Sequence, residues 1–413
     1  MSVVRPFRAL RPAPAMAPRV AAVPYDVVTT EEARKLSKDN HLSFLHVSRA
    51  EVDLPPGTDP HTEEVYDVAT KNLARLVKSA PMVRDDQPCL YVYGLRIGAH
   101  EQLGLAGCYS LDEYDHGLIK KHERTHHNKE NDRMRHMLKL SAQTGIPSLV
   151  HRPLAEVDVL VRKISEKPPL YDFTFAGSVR HTIWQVPIQD VQAMLDAVAK
   201  LSALYIADGH HRIASASRVR DQLRLQNVQP TIDKGNYETF LAVTFPSDQV
   251  QILPYNRSVE DLGGLSPEQF LGQVGARFRV REVERGIPAK GEVAMYLEGR
   301  WHLIDLASGG ARSALLESPV DELDVSVLQN QLLDPVLKIG DVRTDKRIVF
   351  VGGRRGTEEL ERLVDTGESA VAFAMAPIAI EELMVVADAG AILPPKSTWF
   401  EPKILDGLLI HMI

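Results

Sequence analysis

Four apolar residues, Leu204-Tyr205-Ile206-Ala207, run without a break into Asp208-Gly209-His210-His211-Arg212. A short apolar run that ends in Asp-Gly reads as a buried strand leaving the core through a tight turn. Gly209 permits a backbone angle that other residues resist, and the helical pattern from His211 onward gives strand, turn, helix. The first amides of a helix have no acceptor inside it, and the helix dipole puts partial positive charge there. Such a corner attracts an anion. Arg212 adds a planar fork of donors suited to phosphate, and His210 and His211 add donors or proton carriers. Asp208 is placed to hold a magnesium ion or to orient a histidine. The plainer reading of the same residues is an N-capping Asp208 beside solvated histidines.

The rest of the chain alternates helical and strand patterns without a sustained parallel-sheet rhythm. Thr29-Thr30-Glu31-Glu32 predicts a capping box at a helix start. Strands are expected at 41–47, 89–97, 105–111, 148–151 and 182–186. A very polar stretch, 119–133, leads into a helix that Pro147 forbids from continuing. Residues 240–245 and 249–253 read as paired strands, and 293–306 as a hairpin turning at Glu298-Gly299-Arg300. Ser318-Pro319 reads as a helix start. The expected class is therefore mixed α/β, or α+β. With 413 residues, one ordinary core is not enough. The expected division is an N-terminal α/β region, 1–225, carrying the turn, and a C-terminal α/β region, 226–413, packed against it.

A net charge of −7 argues against a general nucleic-acid binder while leaving room for a local basic pocket. Two cysteines, Cys89 and Cys108, cannot build a four-thiolate zinc or iron–sulfur site; in strand-like runs they read as buried free thiols. No apolar run reaches the ~18 residues that span a bilayer. Pro12, Pro14 and Pro18 interrupt the N-terminal stretch, so an extended arm and a cytoplasmic location are expected rather than a signal peptide. An oligomer of identical chains is compatible with all of this.

The turn Asp208 to Arg212, followed by Ala214 and Ala216, resembles the phosphate-binding turn of the ParB/sulfiredoxin superfamily, which includes free-serine kinases. A broader resemblance covers nearly the whole chain. Arg5-Pro6-Phe7-Arg8-Ala9-Leu10-Arg11-Pro12, Pro24-Tyr25-Asp26-Val27, Leu111-Asp112-Glu113-Tyr114 and His122-Glu123 with Thr125 resemble, in order, the uncharacterised family DUF1015 (domain of unknown function). So do Lys129-Glu130 with Asp132-Arg133, the turn itself, and Pro394-Pro395-Lys396-Ser397-Thr398-Trp399-Phe400 with Pro402-Lys403. The resemblance implies a ParB/sulfiredoxin-like core with large additional α/β regions, and polar motifs that belong to one fold.

The second polar cluster runs from Lys120 to Arg133. His122-Glu123-Arg124-Thr125-His126 matches the H-E-x-x-H pattern in which two helical histidines hold zinc and the glutamate activates water. The flanks lack the apolar face such helices carry. A solvated helix face is the plainer reading. Phosphoryl transfer needs a carboxylate to take a hydroxyl proton and cations to hold oxygens. Glu123 fits the first role; Lys121, Arg124, Lys129 and Arg133 fit the second. Asp26 is a metal ligand or the cap of the next helix. Lys396, Ser397 and Thr398 can hold an anion, or serve only to close the tail onto the core. Pro254-Tyr255-Asn256-Arg257 is a weaker polar strand end, and Gly352 to Gly356 lacks the lysine of a P-loop.

The leading expectation is a small-molecule kinase or phosphotransferase. The turn at Asp208, Gly209, His210, His211 and Arg212 would hold donor phosphates of ATP or ADP. Mg2+ would be held by Asp208 or Asp26, with Glu123 and His210 catalytic. Serine is the first acceptor to try, by analogy with the free-serine kinases. The alternatives are a nucleotide-binding, ParB-like regulatory protein without turnover, and a zinc-dependent hydrolase at His122, Glu123 and His126.

Overall fold

Residues 91–95, 102–109 and 239–246 are buried without the alternation of a half-exposed strand. Strands of that kind belong in the middle of a sheet covered on both faces. The computed structural model, which describes residues 3–80, 82–229, 236–309 and 318–413, places them there. The protein is mixed α/β.

The chain divides into two compact units, residues 1–250 with 402–413 and residues 251–401. The expected boundary after 225 falls short of this one, because Thr239–Pro246 hydrogen-bonds into the first unit's sheet and the last residues return to that unit.

The first unit holds a nine-stranded sheet. Its strands are β1 (Val4–Arg5), β2 (Tyr91–Ile97), β3 (His100–Ser110), β4 (Ile119–Lys120), β5 (Ser148–His151), β6 (Tyr171–Phe175), β7 (Val179–Gln185), β8 (Leu204–Asp208) and β9 (Thr239–Pro246). The order is β4-β8-β5-β9-β3-β2-β7-β6, with β1 added to β3. β8 runs parallel to β4 and antiparallel to β5, while β5 and β9 are parallel. The helices are α1 (Thr30–Ser37), α2 (Glu63–Ser79), α3 (His127–Leu140), α4 (Ala155–Ser165), α5 (Ile188–Val198) and α6 (His210–Leu225). Val157, Val161, Met194, Val198, Ile213 and Val219 from α4, α5 and α6 share one apolar core with Leu149, Leu204 and Ile206 of the sheet. On another core, Leu405, Leu408 and Leu409 pack with Tyr91, Tyr93 and Val243. The C-terminal tail is tied in by backbone bonds between Ala22 and Asp406 and between Leu10 and Ile410.

The Thr29 capping box forms: the Thr29 amide donates to Glu32 and the Glu32 amide donates to Thr29 Oγ1. The strand expected at 41–47 does not. Leu45–Ser48 is a short helix, and Leu42, Phe44, Leu45 and Val47 are all buried. A brief apolar run carries no period that separates a buried strand from a buried helical turn. Cys89 and Cys108 are buried and free.

The second unit is built on a six-stranded sheet. Its elements are β10 (Gln251–Leu253), β11 (Tyr255–Val259), α7 (Pro267–Gly275), β12 (Arg279–Val283), β13 (Glu292–Leu297), β14 (Arg300–Asp305), β15 (Ile348–Gly352), α8 (Glu358–Asp365), β16 (Val371–Met375), α9 (Ile380–Asp388) and β17 (Trp399–Glu401). The order β12-β14-β13-β16-β11-β15 is antiparallel throughout. The β13–β14 hairpin turns at Glu298-Gly299, both with positive φ. β10 pairs with β17 rather than with the strand before it. Ser318 makes a local turn, its hydroxyl accepting from the Val320 amide, and the next helix begins at Asp324. Among the described residues no helix is long and apolar enough to cross a membrane.

Candidate functional site

β8 ends at Asp208 and α6 begins at His210, so Gly209 makes the whole turn, with φ +95. A Cβ there would meet the Pro147 Cα at 3.0 Å, backbone that cannot swing aside. Gly209→Ala is therefore expected to destabilise the chain by about 1–2 kcal/mol from the left-handed angle alone, with the contact added to it. Urea unfolding of the variant checks this. The first turn of α6 presents the amides of His210 and His211, which have no acceptor within the helix.

The turn and the 120–133 segment meet, although 85 positions separate Glu123 from Asp208. His210 Nδ1 lies 3.8 Å from Glu123 Oε2. The His122 and His210 rings are edge to face at 4.4 Å. The His126 amide donates to His211 Nε2 at 3.0 Å. Ser215 donates to the Glu130 carbonyl at 3.1 Å, and Arg218 pairs with the Glu130 carboxylate at 3.2 Å, which ties α3 to α6.

Burial lowers the His122 imidazole to about 4 and His211 also to about 4, where Lys129 and His126 add to the effect. Burial, with the neighbouring His122, takes His210 well below its ordinary value. All three are neutral at pH 7. Burial alone would raise the Asp208 carboxyl; Lys403 and Arg212 reverse this and hold it well below the usual carboxylate range. Lys403 Nζ donates to Asp208 at 2.8 Å.

Arg212 differs from the expectation. Its side chain is 6% exposed and is used inside the protein. It donates to Asp26 Oδ1 at 2.9 Å and to the Ile146 carbonyl at 3.3 Å, and lies 3.9 Å from Asp406. Gly145 lets it lie against the chain, since a Cβ there would meet the guanidinium at 3.2–3.3 Å. A fork committed to two carboxylates and a carbonyl organises the site from within rather than meeting solvent or ligand.

A cavity of about 310 Å3 opens beside this cluster, which is at the lower end of small-molecule sites. Asp26, Glu51 and Asp132 line it together with Arg49, Lys129 and Arg133, and His211 contributes from α6. Two of the carboxylates are locally paired, Glu51 with Arg49 at 3.0 Å and Asp132 with Arg133 at 2.7 Å. Burial would raise the Asp132 carboxyl, but Arg133, Tyr66 and His61 hold it at about 2. Tyr25 packs against the Arg133 guanidinium at 4.1 Å, and burial pushes its hydroxyl up to about 12. Glu123 and Asp208 do not line this cavity. The candidate magnesium ligands Asp26 and Asp208 each face a cation of the protein, Arg212 and Lys403.

The H-E-x-x-H reading fails in its second histidine. Residues 122–126 precede α3, so helical spacing does not apply, and the His126 ring stacks on His211 at 5.8 Å. Of the other candidate cations, Lys121 lies over the Tyr114 ring at 3.7 Å. Lys396, Ser397 and Thr398 sit in the second unit. There Ser397 donates to the Pro394 carbonyl at 2.6 Å and the Lys396 ammonium lies over the Tyr255 ring at 5.4 Å.

Two residues of the tail escaped the sequence reading as site groups. Lys403 was legible only as part of a motif. Asp406 interrupts the run Ile404-Leu405-Asp406-Gly407-Leu408, and a carboxylate in an apolar run signals a buried charge. It is 1% exposed, and burial, opposed by Arg212 and aided by Asp26, pushes it up to about 7. Between its ordinary value of 3.8 and about 7 the folded chain holds a proton that the unfolded chain has released. Stability from this group is thus complete below about pH 4 and is lost as pH rises through about 7. The melting temperature is expected to fall from pH 5 to pH 8 more steeply in the wild type than in Asp406→Asn, by calorimetry at matched ionic strength.

No curated protein matches the chain by sequence. Among solved structures, a conserved hypothetical protein from Pyrococcus furiosus is similar with 16% identity and TM-score 0.34, covering 74% of this chain and 95% of that one. A free serine kinase variant in complex with AMP gives 15% identity and TM-score 0.37, covering 73% and 92%. SbnI from Staphylococcus aureus, with a C-terminal truncation, gives 10% and 0.38, covering 74% and 87%. At such low TM-scores and identities, none of the three fixes a fold or a chemistry for this chain. A family model, "Protein of unknown function (DUF1015)", matches residues 4–326, and the chain belongs to that family.

Proposed function

We propose that the protein is a nucleotide-dependent phosphotransferase acting on a small hydroxylated metabolite. What supports the reading is one juxtaposition: His211, in the opening turn of α6, and the Asp26 carboxylate line the same 310 Å3 cavity. A helix opening is where phosphate oxygens are held, and a carboxylate nearby is what takes the proton of an attacking hydroxyl. The start of α6 at His211 then acts as a ParB/sulfiredoxin-like phosphate cradle. Lys129, on the exposed rim, supplies positive charge for the donor phosphates. ATP or ADP brings Mg2+ with it, and Asp26 is the exposed carboxylate that meets it or the acceptor. Arg212 fixes Asp26 from behind. Serine remains the first acceptor to try.

The test is phosphorus NMR on the protein with ATP or ADP, Mg2+ and a panel of hydroxylated metabolites. A new phosphomonoester signal is expected with one of them. Nucleotide that binds but never yields a product would leave a regulatory nucleotide binder instead, and no nucleotide binding at all would overturn both. Lys129→Ala is expected to weaken nucleotide binding about tenfold, the cost of one charge-assisted phosphate contact. Isothermal titration measures it, and unchanged affinity would remove Lys129 from the donor site.

A further inference from the structure

His122, Glu123 and His210 stand apart from the cavity just described. Their ligand-bearing atoms all lie within 4.8 Å of one another, the one such trio of histidine, cysteine and carboxylate groups among the described residues. His122 is 2% exposed, and no well-formed hydrogen bond reaches either of its ring nitrogens. Leaving a buried polar group without a partner costs about 1–3 kcal/mol. The sequence places this histidine where an apolar residue would fill the space at no such cost. Its neighbour His210 is 4% exposed.

We propose that His122, Glu123 and His210 bind one divalent cation of the zinc type. Two neutral imidazoles and a carboxylate are the donor set of zinc and its first-row neighbours, whereas magnesium keeps oxygen and water ligands. Bonds of ~2.0–2.1 Å put tetrahedral zinc ligands roughly 3.4 Å apart. Glu123 Oε2, already 3.8 Å from His210 Nδ1, needs only a small inward shift to reach that spacing.

The surroundings suit the ion as well. The Ile206 carbonyl lies beside the His122 ring, where it can accept from one ring nitrogen and leave the other to ligate. Carbonyls in that position orient metal-bound histidines. Asp208, held as a carboxylate by Lys403, adds negative potential next to both rings. The cost is small. The His122 amide's contact with His210 Nε2 is 3.5 Å, the longest of the cluster's hydrogen bonds, and it yields if that nitrogen carries the proton. Three protein ligands leave the fourth position of a tetrahedral ion to solvent or to an oxygen of a bound molecule.

The full-length protein is stripped with a chelator, dialysed, and titrated with Zn2+ or Co2+ alone, with no nucleotide present. Metal is counted by mass spectrometry, and Co2+ is followed by its visible absorption. One equivalent per chain and the intense visible bands of four-coordinate cobalt are expected. Glu123→Gln, an exposed change that leaves folding intact by circular dichroism, is expected to weaken binding at least tenfold. His122→Asn should weaken it further, and His126→Ala should bind as the wild type does. Substoichiometric metal in the wild type would overturn the site. So would equal affinity in Glu123→Gln, or an equal loss in His126→Ala. Because no nucleotide is used, these outcomes are independent of the phosphotransferase reading.

Discussion

Asp26→Asn is expected to lower phosphoryl transfer by about 10^2–10^4-fold, the usual contribution of a positioned general base. Folding and nucleotide binding should persist. The asparagine oxygen still accepts from Arg212, which holds the native carboxylate at 2.9 Å, so the partner of the buried guanidinium is kept. What is lost is the charge that takes the acceptor's proton. Single-turnover phosphorus NMR with saturating nucleotide reads the effect, and a thermal melt controls for folding. Glu123→Gln is the informative comparison. Glu123 does not line the cavity, so its variant should keep turnover within about tenfold, the range of an indirect effect. If Glu123→Gln abolishes transfer and Asp26→Asn does not, the base is Glu123 and the acceptor lies outside the cavity.

The strand–turn–helix at 204–225 was legible because each part has a local cause. Apolar burial makes the strand, a positive φ demands glycine, and sixteen residues without glycine or proline follow as helix. The β13–β14 hairpin and the Thr29 capping box were legible for the same reason. What the sequence hid was set by partners far along the chain. Residues 251–253 carry strand character, but their partner, 399–401, lies nearly 150 positions away. The helical turn at Leu45–Ser48 is fixed by packing around Phe44 and not by a pattern of its own. In the site, residue types were readable and their direction was not. The fork of donors that marks Arg212 in the sequence is there. It faces Asp26 and Asp406, because the tail that brings Asp406 re-enters the first unit only at its end.

That placement gives Arg212 a signature opposite to that of a phosphate ligand. Arg212→Met is expected to destabilise the fold by about 3–5 kcal/mol, the cost of stripping a buried ion pair of one partner. It leaves Asp406, 1% exposed, beside Asp26 with no cation between them. Asp406 would then titrate still higher than about 7, since Arg212 is the foremost of the groups that oppose its burial. Arg212→Lys restores the charge but not the planar fork that reaches Asp26 and the Ile146 carbonyl together, so an intermediate loss is expected. The decisive variant is the double one. In Arg212→Met with Asp406→Asn, the buried carboxylate goes with its counter-charge. The loss should therefore be smaller than in Arg212→Met alone, a non-additivity expected only of groups in direct contact. Urea unfolding of the four proteins closes the cycle. A phosphate ligand would behave otherwise: Arg212→Met would keep its stability, lose nucleotide affinity, and add independently to Asp406→Asn. That result would return Arg212 to the ligand side of the site and leave Asp26 without its positioning group.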